Sequence, residues 1–328
     1  MSREEIKRAL IQRLGSRTSG QELAKSFGIS RAAVWKAVQS LRAEGYEIEA
    51  SRRGYRLASM PDLLSEDLVK AGLETKFVGR TVLSYPSLVS TNAEAKKIAP
   101  SAENGTVVVA EVQTVGRGRM ERSWHSPKGG VWISVILKPK IPPSLAFRVN
   151  VAAAVAVARA LEALYGLGVG IKWPNDLMVG ERKVCGILTE IGAEMDSLYY
   201  AVVGIGINAN LDPDSFPEDW KATSISGLLG RDVLRLELVR RVLEEVERAC
   251  GEMAASFDRV IGEWSDRSAT LGRRVRITTR SGEFEGRAEA LEADGALLVR
   301  RDDGRGERVI AGDCVHLRPA IEKVEEGI

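Results

Sequence analysis

The chain has 328 residues, of which 44% are hydrophobic and 28% charged, with a formal net charge of +2. That supplies apolar material for two or three packed domains and gives no global signal for nucleic acid or a membrane surface. Three widely spaced cysteines, Cys185, Cys250 and Cys314, and only two histidines exclude a disulfide scaffold and a zinc cluster, and read as free thiols of a reducing, cytoplasmic compartment.

Residues 1–60 carry twelve Lys and Arg against six Glu, which leaves the remainder slightly acidic. This segment is therefore the one expected to meet an anionic partner. It opens with charged helix formers rather than the apolar run of a signal peptide. Ile6, Leu10, Ile11 and Leu14 make one apolar stripe that Gly15 ends. Thr18 or Ser19 caps a second helix over 21–27 that stops at Gly28. Ser30 caps a third over 31–44, with Val34, Val38 and Leu41 inward and Gly45 after it. Two strands, 46–50 and 54–57, alternate around Ser51-Arg52-Arg53. Short helices joined by a tight turn and followed by a basic hairpin predict a winged helix-turn-helix. Its third helix would present Arg31, Trp35, Lys36 and Gln39 to operator DNA, with Arg52 and Arg53 over phosphates. The plainer reading is a small helical interaction module with a solvated basic face, and Trp35 alone fits packing as well as readout.

Met60-Pro61-Asp62 begins a linker, and residues 65–268 then mix strands with helices. Strands are predicted at 81–85, 106–113, 131–137, 170–172, 177–179, 183–191 and 199–208. Helices are predicted at 91–99, 145–165, 236–255 and 260–268. The pattern predicts an α+β layer architecture rather than a doubly wound repeat. The most apolar run, 149–165, is interrupted by Asn150, Arg159 and Glu162. It reads as a core helix, so no membrane partner is expected. Residues 270–320 change to short strands with Ser281-Gly282, Asp294-Gly295 and Asp303-Gly304 at the turns, which predicts a small β-barrel. The Glu-rich tail after it is expected to fray.

Four islands in the central segment point to chemistry. Ser90-Thr91-Asn92 stands where a strand meets a helix. One of these residues suffices for a cap, and three small polar groups together can also hydrogen-bond a urea or amide. Gln113 and the loop Gly116-Arg117-Gly118-Arg119-Met120-Glu121-Arg122-Ser123-Trp124 join two apolar strands. Arginine grips phosphate and carboxylate in a fork, and glycine lets backbone close around an anion. Lys172-Trp173-Pro174-Asn175-Asp176 precedes Arg182-Lys183-Val184-Cys185-Gly186, with Gly180 at the intervening turn. A lysine on a strand of Val, Ile and Leu is costly to bury unpaired, so Lys183 reads as an anion ligand. Asp176 reads as a metal contact or as a structural residue, and Cys185 as core. Alternating glycine in Val203-Gly204-Ile205-Gly206-Ile207-Asn208 marks a close approach to a strand face. These glycines do not open a helix, so they are not a dinucleotide fingerprint. Cations on a loop together with one strand lysine suit a carboxylate attacking the α-phosphate of a nucleotide, with Mg²⁺ taking charge on the pyrophosphate.

In order, STN, Q-x-x-GRGR-x-x-R-x-W, KWPND, RK-x-x-GIL and GIGIN resemble biotin protein ligase. The winged helix in front makes the chain similar to the bifunctional form that is also the biotin-operon repressor. The resemblance spans nearly the whole chain. It implies a class II synthetase-like catalytic fold with a mixed seven-stranded sheet over 65–268, preceded by the DNA-binding domain at 1–60 and followed by an SH3-like barrel at 270–320. It implies biotin, ATP and Mg²⁺ as ligands, with biotinyl-5′-AMP formed and biotin passed to a lysine of the biotin carboxyl carrier protein of acetyl-CoA carboxylase. A homodimer promoted by the adenylate would bind the operator. Carried over by position, Ser90, Thr91, Asn92 and Gln113 hold the ureido end. Gly116, Arg117, Gly118 and Arg119 form the ligand-ordered loop, with Arg119 retaining the adenylate. Lys183 contacts carboxylate or phosphate oxygens, Trp220 covers adenine, and Asn208 lies near nucleotide or metal. Trp124, Lys172, Asn175, Asp176, Gly186 and Gly206 complete the ligand-binding set, with Arg119 and Lys183 as its catalytic members. The rival readings are a biotin-sensing regulator without catalysis and a lipoate-type protein ligase.

One departure stands out, because the family often has glycine where this chain has Glu121. A carboxylate in a phosphate-binding loop weakens the local field unless it points away or pairs with Arg122. We expect it to point away from the ligand, so that Glu121→Gly changes adenylate affinity by less than about tenfold, or about 1.4 kcal/mol, in a calorimetric titration.

Overall fold

A computed structural model describes residues 10, 13–14, 16–43, 45–59, 61–194, 196–279 and 281–317. The expected first helix with Ile6, Ile11 and Gly15, the end of the third helix at Glu44, and the Glu-rich tail lie outside the described residues. The chain divides into two compact units, Met1–Leu63 and Leu64–Ile328.

In the first unit, α1 (Gly20–Phe27) is capped by the Ser19 hydroxyl, which accepts from the amide of Glu22 at 3.1 Å, and ends at Gly28 with φ 63°. That left-handed residue is what a helix C-terminus favours. α2 (Arg31–Ala43) starts with the Ser30 hydroxyl accepting from Ala33 N at 3.1 Å. It buries Val34, Val38 and Leu41 with Leu10, Leu14 and Leu23, as the apolar spacing requires. β1 (Glu47–Ser51) and β2 (Gly54–Ser59) pair antiparallel around Arg52 and Arg53. Thr18 and Tyr55 exchange backbone hydrogen bonds at 2.9 Å, which ties the hairpin to the start of α1.

The second unit is built on a mixed seven-stranded sheet in the order β3-β4-β5-β9-β8-β7-β6. Its strands are β3 (Val82–Tyr85), β4 (Val107–Ala110), β5 (Val131–Leu137), β6 (Val169–Lys172), β7 (Asp176–Val179), β8 (Arg182–Glu194) and β9 (Ser197–Ile207). Only β3 and β4 run parallel. α3 (Glu66–Lys70), a single turn, precedes the sheet, and α4 (Thr91–Ile98) starts at the end of β3 and packs on β4, β5 and β9. α5 (Phe147–Tyr165) packs on the sheet and against α7 (Arg235–Ala255) and α8 (Phe257–Asp266), with a short α6 (Ile225–Leu229) before them. The stretch Pro143–Tyr165 is long and apolar enough to cross a bilayer, but 72% of its apolar window is buried inside the protein. It is therefore the core helix that its interrupting Asn and Arg predicted. Arg159 remains charged there because Glu263 and Glu252 hydrogen-bond it, and a buried charge needs such partners.

The C-terminal strands β10 (Arg274–Thr279), β11 (Gly282–Leu291), β12 (Leu297–Arg301), β13 (Gly306–Val309) and β14 (Asp313–His316) form an antiparallel sheet in the order β13-β12-β11-β10-β14. Among the described residues no ladder joins β13 to β14, so the expected barrel is seen as a five-stranded sheet. β14 follows a run without strong alternation and was not predicted.

This sheet braces the turn between β6 and β7. Trp173 donates its amide to Thr270 Oγ1 at 2.9 Å and its indole N–H to Gly295 O at 3.2 Å. Thr270 Oγ1 lies 3.0 Å from His316 Nε2. A hydroxyl that accepts from Trp173 keeps its own proton for the imidazole, which fits a neutral Nε2. Burial, then Lys172 and Arg273, lower the His316 pKa to about 4 against an opposing pull from Glu181. The unfolded chain therefore binds a proton that the folded chain refuses between about 6.5 and about 4. This contribution to stability is fully present above the upper value and is lost as the pH falls to the lower one. Melting temperature should decline across that window in the wild type and less steeply in His316→Gln. Parallel profiles would clear His316 of the effect.

Candidate active site

The islands separated in sequence meet around one cavity of about 650 Å³ in the second unit. Its wall includes Ser90, Thr91, Asn92, Gln113, Arg117, Gly118, Arg119, Trp124, Lys172, Asn175, Asp176, Lys183, Gly186, Gly206, Asn208 and Trp220. Of the expected ligand-binding set only Gly116 is off the wall. It lies beneath the loop, with its carbonyl accepting from Trp124 N at 2.8 Å. β14 adds Asp313, Cys314 and Val315, a contribution that sequence reasoning missed.

The floor is a strip of sheet without side chains. Gly186 on β8 is paired with Gly206 on β9. A Cβ on Gly206 would fall 2.6 Å from the Trp124 indole nitrogen, and one on Gly204 would fall 2.2 Å from Asn92 Oδ1. The alternating glycines thus admit Trp124 and Asn92 from neighbouring elements, and the ligand space lies above them. Overpacking of this kind costs about 1–3 kcal/mol.

Lys183 reaches this face through a break in register. Leu177 pairs with Cys185, but Met178 pairs with Lys183, so β8 holds one extra residue. Simple alternation would put Lys183 on the side of Cys185, in the core. The bulge re-aims it, and its stem lies beside Gly186 on the cavity side. There Nζ sits 4.8 Å from the centre of the Trp124 ring and 2.5 Å from Asp176 Oδ1. Its backbone is strapped to the next loop: Lys183 N donates to Lys221 O at 2.8 Å, and Thr223 N to Lys183 O at 2.9 Å. Cys185, one step past the bulge, is fully buried and its thiol is pushed up by desolvation, which agrees with a core residue and not a nucleophile.

The arginine loop is a small hairpin. Gly118 N donates to Arg122 O at 2.7 Å, Arg117 bridges Ser123, and the tip turns through Met120 at φ 51°. Arg122 pairs with Asp313. Arg119 is half-buried, and its one side-chain hydrogen bond among the described residues is a 3.5 Å contact with Asn175 Oδ1. Burial above all holds its pKa below the ordinary arginine value, with Asp176 opposing and Arg122 adding to the effect. Arginine stays charged regardless, so this is an under-compensated cation in a partly dry site. The expectation about the Glu121 side chain lies outside the described residues.

Five cations (Arg117, Arg119, Arg122, Lys172 and Lys183) and three carboxylates (Asp176, Asp219 and Asp313) line the cavity. Two of the carboxylates are already engaged by Lys183 and Arg122. The wall therefore favours an anion of more than one charge. Among the described residues no three His, Cys, Asp or Glu side chains converge to hold a metal.

The opposite end is neutral and rich in acceptors. Gln113 Oε1 accepts from Thr91 N at 2.8 Å and lies 3.1 Å from Thr91 Oγ1, while Gln113 Nε2 donates to Ser126 Oγ at 2.8 Å. Ser126 in turn donates to Trp124 O at 3.0 Å, so the closed end and the arginine loop share one hydrogen-bond network. Ser90 caps α4 through Ala93 N at 3.4 Å. Asn92 and Asn208 act as struts. Asn92 Nδ2 donates to Leu188 O at 3.2 Å and Glu190 Oε2 at 3.0 Å. Asn208 Nδ2 donates to Thr223 O at 3.0 Å. Both amides are almost fully buried although both reach the cavity wall, and Asn208 also supports the loop that follows Trp220. Trp220 itself is 43% exposed at the rim. Sequence reasoning missed Ser126, Ser134 and Glu190, whose single letters carry no motif.

The N-terminal unit offers a second surface. Arg31, Trp35 and Gln39 recur every four residues along α2, with Lys36 beside them. Arg31, Trp35 and Lys36 are exposed, Trp35 to 54%, and Gln39 is half-buried. Arg52 and Arg53 are exposed at the hairpin turn.

Comparison with known proteins agrees with this geometry. Residues 85–208 match the biotin/lipoate A/B protein ligase family, 4–56 an HTH domain, and 270–317 the biotin protein ligase C terminal domain. The bifunctional ligase/repressor BirA of Bacillus subtilis is 40% identical over 292 residues, covering 87% of this chain and 90% of that protein. Its Escherichia coli counterpart is 28% identical over 87% of this chain and 88% of its own length. The biotin protein ligase of Aquifex aeolicus in complex with biotin and ATP superposes with a TM-score of 0.63 at 28% identity, over 73% of this chain and 99% of that one. The chain belongs to the biotin protein ligase family, in its bifunctional ligase/repressor branch.

Proposed function

We propose that this protein is an ATP-dependent biotin protein ligase. It forms biotinyl-5′-AMP and transfers biotin to a lysine of the biotin carboxyl carrier protein of acetyl-CoA carboxylase, and it also represses transcription of the biotin operon. The observation that carries the reading is the polarity of one cavity. An acceptor-rich neutral end around Thr91 and Gln113 faces an under-compensated Arg119 and a strand-borne Lys183. A ligand with N–H donors at one end and a carboxylate at the other fits that polarity, and so does a nucleotide triphosphate laid against the arginines.

In the first step, a biotin carboxylate oxygen attacks the α-phosphorus, the bond to the bridging oxygen breaks, and pyrophosphate leaves. Lys183, released from Asp176, sits between two approaching anions and lowers their repulsion. Arg119 exchanges its long contact with Asn175 for phosphate oxygens, a stronger charge-assisted pairing. Positioning accounts for most of such chemistry, which suits a wall with few acids or bases. In the second step the carrier lysine amine attacks the acyl carbonyl and AMP leaves, with Arg119 and Arg117 holding the phosphate until then. Trp220 covers the adenine side. Mg²⁺ takes few protein ligands when it is bound through phosphates, so Asp176 would hold it as a single contact, and the charge neutralisation it would supply is that of the pyrophosphate leaving group.

The chain is read as a winged helix-turn-helix domain at 1–60, a catalytic domain at 65–268 and an SH3-like domain at 270–320. Arg31, Trp35, Lys36, Gln39, Arg52 and Arg53 face operator DNA. Two-fold pairing of adenylate-bound subunits would place two such domains on one palindrome.

Two measurements test these readings. With biotin, ATP, Mg²⁺ and a carrier domain, a streptavidin blot should show labelled carrier for the wild type and at least about a hundredfold less for Lys183→Ala, a loss of the size that follows removal of a charge-stabilising donor. Arg119→Gly should instead release the adenylate and label proteins indiscriminately. An unlabelled carrier with the wild type would remove the ligase assignment. Sedimentation velocity with and without biotinyl-5′-AMP should show ligand-promoted dimers, with a coupling of about 1–3 kcal/mol. Identical association in both would remove the ligand dependence.

A further inference from the structure

The turn between β6 and β7 hands each of three successive residues to a different neighbour. Trp173 is held by the C-terminal sheet through Thr270 and Gly295. Pro174 is held by α5, because its carbonyl accepts from Asn150 Nδ2 at 2.8 Å. Asn175 is held by β8, where its carbonyl accepts from Ile187 N at 2.9 Å and its Nδ2 donates to Ile187 O at 2.7 Å.

The middle anchor differs in kind, since a side chain of the core helix supplies it. Asn150 stands in the first turn of α5, buried in a run of Val and Ala. An amide in such a place is costly unless both its ends are paired. Both are paired, with Oδ1 accepting from Thr189 Oγ1 at 3.2 Å on β8. Neither bond serves α5 itself. The polar residue that interrupts the apolar run is therefore spent on the turn and on the strand beside it.

The orientation of both amides follows from their partners. A carbonyl only accepts, so Pro174 O demands the NH₂ of Asn150 and Ile187 O demands the NH₂ of Asn175. Asn175 then turns Oδ1 toward the cavity, where Arg119 Nη1, which only donates, lies 3.5 Å away. Asn175 cannot swing after the arginine without giving up β8. Where its Oδ1 stands is thus set by the Pro174–Asn175 peptide, and Asn150 grips the oxygen of that peptide.

We infer that Asn150 is a positioning residue for the nucleotide end of the cavity: from the core helix it fixes the Pro174–Asn175 peptide, so that Asn175 presents Oδ1 to Arg119. The inference rests on the biotin-ligase reading of this cavity. The neutral end around Thr91 and Gln113 shares no hydrogen bond with this turn among the described residues, so the effect belongs to the phosphate side alone.

The test compares wild type with Asn150→Leu, which keeps the bulk and donates nothing, Thr189→Val, Asn175→Ala and the Asn150→Leu/Asn175→Ala pair. Calorimetric titrations use biotin, and then α,β-methylene-ATP on the biotin-loaded protein. Asn150→Leu should raise the Kd of the nucleotide analogue at least about tenfold and leave the Kd of biotin within about twofold. Asn175→Ala should weaken the analogue at least as much, and adding Asn150→Leu to it should change the Kd by less than about twofold, because the two residues act through one peptide. If Asn150→Leu does not fold by circular dichroism, Thr189→Val decides, with an expected loss of about threefold for the analogue only. Wild-type analogue affinity in the deciding variant or in Asn175→Ala, equal losses for biotin and analogue, or additive losses in the double variant would overturn the inference. A wild-type protein that binds neither biotin nor the analogue would instead overturn the functional reading beneath it.

Discussion

One extra residue in β8 decides on which side of the sheet Lys183 stands. Strand geometry alternates strictly, so without the bulge opposite Leu177 and Met178 the amine would be driven toward Cys185 and the core. With it, the amine emerges onto a strip that Gly186, Gly204 and Gly206 keep bare, and Trp124 and Asn92 sink into that strip. The cation, the aromatic beneath it and the polar end beside it are thus three results of one local choice: a strand pair that gives up side chains and regular register to make room. Such departures cost stability, and they cluster where function needs them.

Charge then shapes what the room accepts. Two of the lining carboxylates are committed to cations, and Arg119 is left with a single long contact while burial works against it. The apo site therefore stores unmet positive potential on a segment whose tip bends through a left-handed residue. A doubly or triply charged ligand would relieve it. At the far end the problem is different in kind, because there the groups are neutral and hydrogen-bonded to one another.

Much of this was legible in the sequence because it rests on local rules. Ser19, Ser30 and Gly28 bound their helices as their side chains dictate, and the apolar spacing of Val34, Val38 and Leu41 found the core of the N-terminal unit. The strand at 131–137 and the long helix ending at Tyr165 were found at or near their limits because each is a sustained apolar run. α3, α6 and β14 were missed, each only four or five residues long and held by tertiary contact rather than propensity. At the site, cations and glycines announced themselves. The partners of Asn92 and Asn208 did not, because they lie up to 98 residues away in the chain. Glu190, Ser126 and Ser134 were invisible for the same reason. The side of the sheet taken by Lys183 depends on a register slip against β7 that β8 alone does not encode.

The backbone of Lys183 is stitched on both sides to residues 221 and 223, and this divides the neighbouring loop into two mechanical zones. The part from Pro213 to Trp220 precedes the stitch, whereas Lys221 and Thr223 form it with the strand. Length changes in the outer zone, through natural insertion or through laboratory grafting, would reshape the cavity rim at Trp220 while leaving the amine in place. The same change two residues later would drag the amine with it. The shape of the rim and the position of the amine are therefore separable traits here, with a seam between them at a left-handed lysine, Lys221.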